Sequence, residues 1–435
     1  MHMNHFCRLL VNLLFFSQLL SQDSSVFKYS SVVKIPDLSF INQTYTGLDI
    51  LEQMDFKPIK GKTIAYFGNH TAINRNGKHL LDLLKDVPDI EIAALFAPEY
   101  GLWGIDDKRA KQIGKNDVDP IYGARIIDLF ERNVYPPNWL MKKVDLILID
   151  YQDTGVRYST FMVSMSKLFE AASNWKIPVL ILDRPNPLRG DIIDGPIPRE
   201  EFQSYEAYHL MPIRHGLTIG EASIIINEMG WTKDSKRVEL TVIPLANWQR
   251  DQWFDETGLL WRHPVPFLRD LNTTLAYTGM DLFRGTNLNI GFGTESPYLT
   301  FGAPWLGTSF LLDKLKDESL AGVLFNEINY RPKGSVFNNR IPRYVGKGCS
   351  GIKMTITDRD TFDPIRTAST IIVLIEHLHP KQFQWIGDGY IDKLFGSNLL
   401  RVVAAQKKPP SYLPPQWMHD VLKFSEFRQP FLLYD

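Results

Sequence analysis

The chain has 435 residues, of which 44% are hydrophobic, 12% aromatic and 22% charged. This is a folded, globular composition with apolar mass for one large or two medium cores. A net charge of −1 gives no bulk field for nucleic acid or an anionic membrane, so neither is expected as a partner.

The first stretch, MHMNHFCRLLVNLLFFSQLLSQDSS, places Arg8 before an apolar run from Leu9 to Leu20 and a polar segment after it. The run is too short to span a bilayer, so the pattern predicts a cleaved secretory signal over residues 1–22 and a secreted or periplasmic protein. A frayed amphipathic N-terminus is the alternative, because the positive charge is weak and Asn12 interrupts the run. No later stretch is apolar for long enough to be a membrane span. Of the two cysteines, Cys7 leaves with the signal, so the remaining Cys349 has no disulfide partner.

From about residue 60, strand and helix patterns alternate. Strands are predicted at 62–68 (KTIAYFG), 91–97 (EIAALFA), 144–150 (VDLILID) and 178–183 (PVLILD), with helices over 77–85 and 157–175. Short, nearly continuous apolar strands between amphipathic helices predict a Rossmann-like α/β domain, a parallel sheet covered on both faces, over 44–237. The texture changes near residue 238. A strand at 239–245, a long irregular stretch rich in Trp, Pro and Gly, a strand at 351–358 and a helix over 364–377 predict a second, smaller α/β domain over 238–435.

Ligands of open parallel sheets bind beyond the carboxyl ends of the strands. Each predicted strand of the first domain ends in polar residues: Asn69 and His70, then Glu99, then Asp150 with Gln152 and Asp153, then Asp183, Arg184 and Asn186. A single such ending is equally well a helix cap or a solvated turn; four in succession point to a cluster on one edge. Its chemistry would be acid–base work, since it holds several carboxylates, no thiol and no serine in a G-x-S-x-G elbow. In LFAPEYGLWG, Glu99 directly follows an apolar strand and sits among Pro98, Tyr100, Gly101, Trp103 and Gly104. That setting holds a carboxyl group in a fixed, partly dry turn, as a proton donor to a leaving group requires. Asp150 and Asp153 are the candidate partners, and glycoside hydrolysis is the natural reaction for such a pair.

Two other motifs carry less. GKGCSG at 346–351 has the letters of G-x-G-x-x-G but precedes a strand, so no helix N-terminus meets a pyrophosphate and no cofactor is expected. The His-x-His at 377–379 does not share a helix face, and His70, His209 and His215 have no zinc spacing, so no metal is assigned.

Five ordered strings then carry a resemblance. FAPEYGLWG, DYQDTGVRYSTF (150–161), LDRPNPLRGDIIDGP (182–196), RHGLTIGE (214–221) and GTNLNIGFGTESPYLTFGAPWL (285–306) resemble the motifs of the DUF1343 family, the NamZ-type exo-β-N-acetylmuramidases. The resemblance implies a cleft between a Rossmann-like and a smaller α/β domain. It also implies release of N-acetylmuramic acid from the non-reducing end of peptidoglycan fragments, with muramyl saccharides as the partners. The family's motif glutamate falls on Glu99. A planar guanidinium suits the lactyl carboxylate of that sugar, and Arg157 and Arg214, then Arg184, are the candidates. Asn69 and Asn186 are assigned to sugar hydroxyls or the acetamide, and His70, Gln152, His215 and Asn287 complete the expected substrate-binding set.

The sequence also departs from the pattern. Tyr100 stands for a histidine, Ser159 for an aromatic, RHPVPFLRD (262–270) for S-P-N-x-P, Arg284 for a glutamate and Phe292 for an arginine. These departures suggest either an altered subsite or a catalytically weakened binder of cell-wall fragments.

Overall fold

The computed structural model describes residues 27–35, 43–104, 117–130, 134–334 and 342–435; the signal expected over 1–22 lies outside the described residues. Seven strands form one sheet: β1 (Ser30–Val32), β2 (Thr63–Gly68), β3 (Glu91–Ala97), β4 (Arg125–Asp128), β5 (Leu146–Asp150), β6 (Val179–Leu182) and β7 (Leu240–Ile243). The spatial order is β1-β7-β6-β5-β2-β3-β4 and every pairing is parallel.

The apolar strands divide their residues between two cores. Ala65, Phe67, Ile147 and Ile149 face the helices Thr160–Trp175 and Ile219–Met229. Ile64, Tyr66, Leu146 and Leu148 face the helices Gly47–Gln53 and Leu80–Leu84. Burial on both faces is why the strands read as unbroken apolar runs. An irregularity in the β2–β3 register skips Ala93 and resets the alternation of β3 before it reaches Ala97.

From β2 the chain winds outward through β3 and β4, then returns to build β5, β6 and β7 on the other side. The order therefore reverses between β2 and β5, and the crevice beyond their carboxyl ends is where a doubly wound sheet binds its ligand.

A second, antiparallel sheet holds β8 (Thr300–Ala303), β9 (Val323–Tyr330) and β10 (Cys349–Ile356) in the order β8-β10-β9. The helices Leu271–Met280 and Pro364–Leu378 pack beside it, and the core they form extends into the first unit through Val156, Tyr158, Leu188 and Ile213. One expectation needs correction. The strand at 239–245, assigned from sequence to the second unit, lies as β7 between β1 and β6 of the large sheet. Its short apolar run matches its neighbours, whereas the change of texture comes from the irregular chain after it.

Candidate active site

Glu99 is delivered by a tight turn. Gly101 N–H donates to Pro98 O at 3.0 Å, and Tyr100 holds a left-handed φ of 71° that costs a non-glycine residue about 1 kcal/mol or more. The buried Tyr100 ring offsets this by packing into the core beneath helix Thr160–Trp175. Glu99 itself is only 5% exposed, and Thr160 Oγ1 donates to its Oε2 at 2.8 Å. Further along the turn, Gly104 has φ 64°, and a Cβ there would lie 2.7 Å from His70 Nδ1. Only glycine lets this turn close over His70. His70 Nε2 donates to His263 O at 3.0 Å, which ties the divergent 262–270 segment to the end of β2.

The loops beyond β2 and β5 hold unused hydrogen-bonding capacity. Asn69 Oδ1 accepts from Thr71 N and Thr71 Oγ1 at 3.0 and 2.6 Å, which turns its amide Nδ2 the other way. Asp153 Oδ2 accepts from Gly155 N at 2.7 Å and lies 3.7 Å from His215 Nε2. Leu217 N donates to His215 Nδ1 at 3.1 Å, so the ring proton of the neutral imidazole resides on Nε2, toward Asp153. Among the described residues, Asn69 Nδ2, Asp153 Oδ1, Thr154 Oγ1 and His215 Nε2 are buried without any hydrogen-bond partner. Buried polar atoms are nearly always satisfied, so donors and acceptors left open on neighbouring loops mark a place for a polar ligand.

The other candidates are already committed to protein groups. Arg184 grips Asp150 with two nitrogens and donates to Ile73 O at 3.0 Å. Both Asp150 oxygens are used in this buried pair, so Asp150 braces the loop and is not the partner of Glu99. Arg157 is fully buried; its two terminal nitrogens donate to Pro196 O, Met211 O and Leu394 O at 2.6, 3.1 and 2.6 Å. Burial pulls its pKa down to about 9. Arg214 donates to Leu188 O and lies over the Trp253 ring, with burial lowering its pKa to about 10. All three arginines are engaged by protein groups, while Arg157 Nε and Arg214 Nε are buried without a hydrogen-bond partner. Gln152 donates to Asp153 O and Pro185 O, and Asn186 donates to Leu217 O while accepting from Leu188 N. Gly155, with φ 78°, fits against Asn186, whose Oδ1 would be 2.6 Å from a Cβ. Asn287 exchanges hydrogen bonds with the Gln382–Gln384 segment of the second unit. Gln152, Asn186 and Asn287 shape the loops.

Asp183 lies one layer below. It accepts from Arg184 N, Gly220 N, Thr218 Oγ1 and Tyr434 Oη, and burial nevertheless pushes its carboxyl up to about 7. Sequence reasoning missed Thr160 and Thr154, although both stand inside the 150–161 string, because a threonine in a loop carries no signal until its partner is known. The two histidines of the His-x-His string diverge, His377 donating to Ala404 O and His379 accepting from Gly307 N.

Two departures prove to be coordinated. Phe292 stacks on Phe267 of the 262–270 segment with ring centres 4.6 Å apart, and its other neighbour is Tyr298 at 5.3 Å. An apolar contact therefore joins two of the departures from the family pattern. Arg284 is held by Asp281 and lies over the Tyr390 ring.

Comparison with known proteins settles the lineage. Residues 64–272 match the family model described as exo-beta-N-acetylmuramidase NamZ, N-terminal, and residues 275–434 match its C-terminal counterpart. The chain belongs to the NamZ family of glycosidases. A curated relative, the peptidoglycan beta-N-acetylmuramidase NamZ of Bacillus subtilis (strain 168), is 32% identical over 389 residues, covering 89% of this chain and 91% of the relative. Two crystal structures of DUF1343 family proteins from Bacteroides fragilis share the fold. One has a TM-score of 0.80 at 24% identity, covering 91% of this chain and 100% of its own. The other has a TM-score of 0.73 at 27% identity, covering 90% and 99%. The NamZ boundary at 272–275 agrees with the placement of β7 in the first sheet.

Proposed function

We propose that the protein is an exported exo-acting glycosidase that releases N-acetylmuramic acid from the non-reducing end of peptidoglycan fragments, with Glu99 as proton donor. The observation that carries this reading is the buried Glu99 carboxyl, fixed by Thr160 on a strained turn near a crevice with open polar valences. Asp153 is the second carboxylate, since it keeps one oxygen open while Asp150 is spent on Arg184. The Gly155 N–H orients it, His215 stands 3.7 Å away, and together Asp153 and His215 serve the water or the positive charge developing at the sugar. The open amide of Asn69 and the hydroxyl of Thr154 suit the acetamide and ring hydroxyls of the sugar. Export rests on the apolar run Leu9–Leu20, and cleavage near residue 22 is read by sequencing the N-terminus of the protein recovered from its host.

The test is hydrolysis of a disaccharide of N-acetylmuramic acid linked to N-acetylglucosamine. Glu99→Gln keeps the shape and removes the proton, so kcat falls by about 10²–10⁴ with little change in affinity. The loss is smaller on a phenolate-leaving muramide, which needs less protonation. A Glu99→Gln enzyme that turns over the disaccharide at the wild-type rate defeats the assignment.

A further inference from the structure

We propose, resting on the muramidase reading above, that a groove lined by Lys167, Tyr205, Tyr208, Leu210, Trp231 and Lys233 is the subsite for the sugars on the departing side of the cut bond. The groove has a volume of about 590 Å³ and lies outside the crevice of Asn69, Asp153 and His215. One helix, Thr160–Trp175, joins it to the proton donor. Thr160 holds Glu99; one turn later Ser164 faces the Tyr205 phenol, which also feels the Glu99 charge. Two turns on, Lys167 forms the groove wall. At 1.5 Å per residue Ser164 and Lys167 lie about 6 and 10 Å along the helix from Thr160, so the groove runs from the Tyr205 end past the length of the first departing sugar. A general acid stands on the side of the oxygen it protonates, so the path that leaves Glu99 along this helix belongs to the leaving group.

The lining fits a neutral amino-sugar chain. Glu170 is buried and accepts from Tyr135 Oη, Tyr208 Oη, Lys167 Nζ and Lys233 N at 2.6, 2.6, 3.1 and 2.9 Å. These donors keep Glu170 ionised against its burial, and it in turn neutralises Lys167 and fixes Tyr208. Trp231 is held by stacking on Phe427 at 5.8 Å. The result is an aromatic wall whose charge is confined to the Lys233 ammonium at one end, with phenol and amide groups at its edge, suited to the apolar faces and polar rims of N-acetylglucosamine rings.

The experiment pairs direct binding with chain-length kinetics. The β-1,4-linked trisaccharide of N-acetylglucosamine is titrated calorimetrically, and kcat/KM is compared for di- and tetrasaccharides headed by N-acetylmuramic acid. The wild type is expected to bind the trisaccharide and to prefer the tetrasaccharide about tenfold or more. Trp231→Ala, and independently Leu210→Trp at the exposed rim, abolish both the binding and the preference. Equal kcat/KM for the two lengths together with no trisaccharide binding overturns the proposal, as does binding that both variants leave intact. A wild type that binds the trisaccharide, loses that binding in both variants and hydrolyses no muramide retains the groove while refuting the catalytic reading.

Discussion

Arg157 separates two accounts of this site. If it grips substrate, Arg157→Met should raise KM and leave the fold alone; the structure predicts the reverse. The substitution keeps the aliphatic stem but strips the carbonyls of Pro196, Met211 and Leu394 of their donors. Each orphaned buried carbonyl costs about 1–3 kcal/mol, a gross loss of roughly 3–9 kcal/mol. Relief of the buried guanidinium's desolvation offsets part of this, several kcal/mol per ion, so a net destabilisation of about 3 kcal/mol is expected. Leu394 lies in the second unit, so the loss should weaken the connection between units as well as the fold. Urea unfolding monitored by tryptophan fluorescence and far-ultraviolet circular dichroism measures this directly. Arg157→Lys, with one compact charge for three acceptors, should fall between the two. A variant as stable as the wild type, with KM raised only for muramides bearing the lactyl carboxylate, refutes the reasoning and restores the substrate role.

Three further outcomes rest on the same geometry. Thr160→Val removes the hydroxyl that fixes Glu99 and should lower kcat about tenfold at nearly constant KM, a split that steady-state kinetics resolves. Burial and the neighbouring Asp363 push the Asp194 carboxyl up to about 7, so the folded state binds the proton more tightly than the unfolded one. Stability therefore falls as pH rises from about 4 through 7, and Asp194→Asn, which mimics the protonated form, should flatten part of that slope in melting curves, Asp183 supplying the rest. Phe292→Arg restores the family letter but places an unpaired charge against Phe267 and Tyr298, so it should destabilise by about 3 kcal/mol or more without raising activity.

Much of this site is legible in the sequence because parallel strands advertise themselves. The runs ending at Gly68, Ala97, Asp150 and Leu182 are apolar on both faces, and the residues just beyond their carboxyl ends must stand on one edge. Glu99 becomes a candidate in this way. The direction of each side chain is not legible. Arg157 sits in a motif loop either way, and only its acceptors Pro196, Met211 and Leu394, 39 to 237 residues distant, show that its guanidinium turns inward. The same holds for Asp150, whose spacing from Arg184 in sequence says nothing of their pairing. β1 has only three residues, too few to show a period, and it joins the sheet by pairing with β7 more than two hundred positions later.

That late pairing belongs to a wider arrangement at the sheet's far side. Arg428 donates to the carbonyls of Gly190 and Gly216, Leu433 N to Glu221, and Tyr434 Oη to Asp183, so the polar layer beneath the crevice is completed by residues 428–434. Ribosomes release a chain from its N-terminus onward. A nascent chain that already holds every strand of the large sheet still has a buried carboxylate at Asp183 short of one donor and Glu221 short of another. The first unit therefore gains its last polar contacts only once residues 428–434 have cleared the ribosome. A chain that stalls or is clipped ahead of residue 428 should remain open and vulnerable to proteases, however complete its crevice looks in sequence.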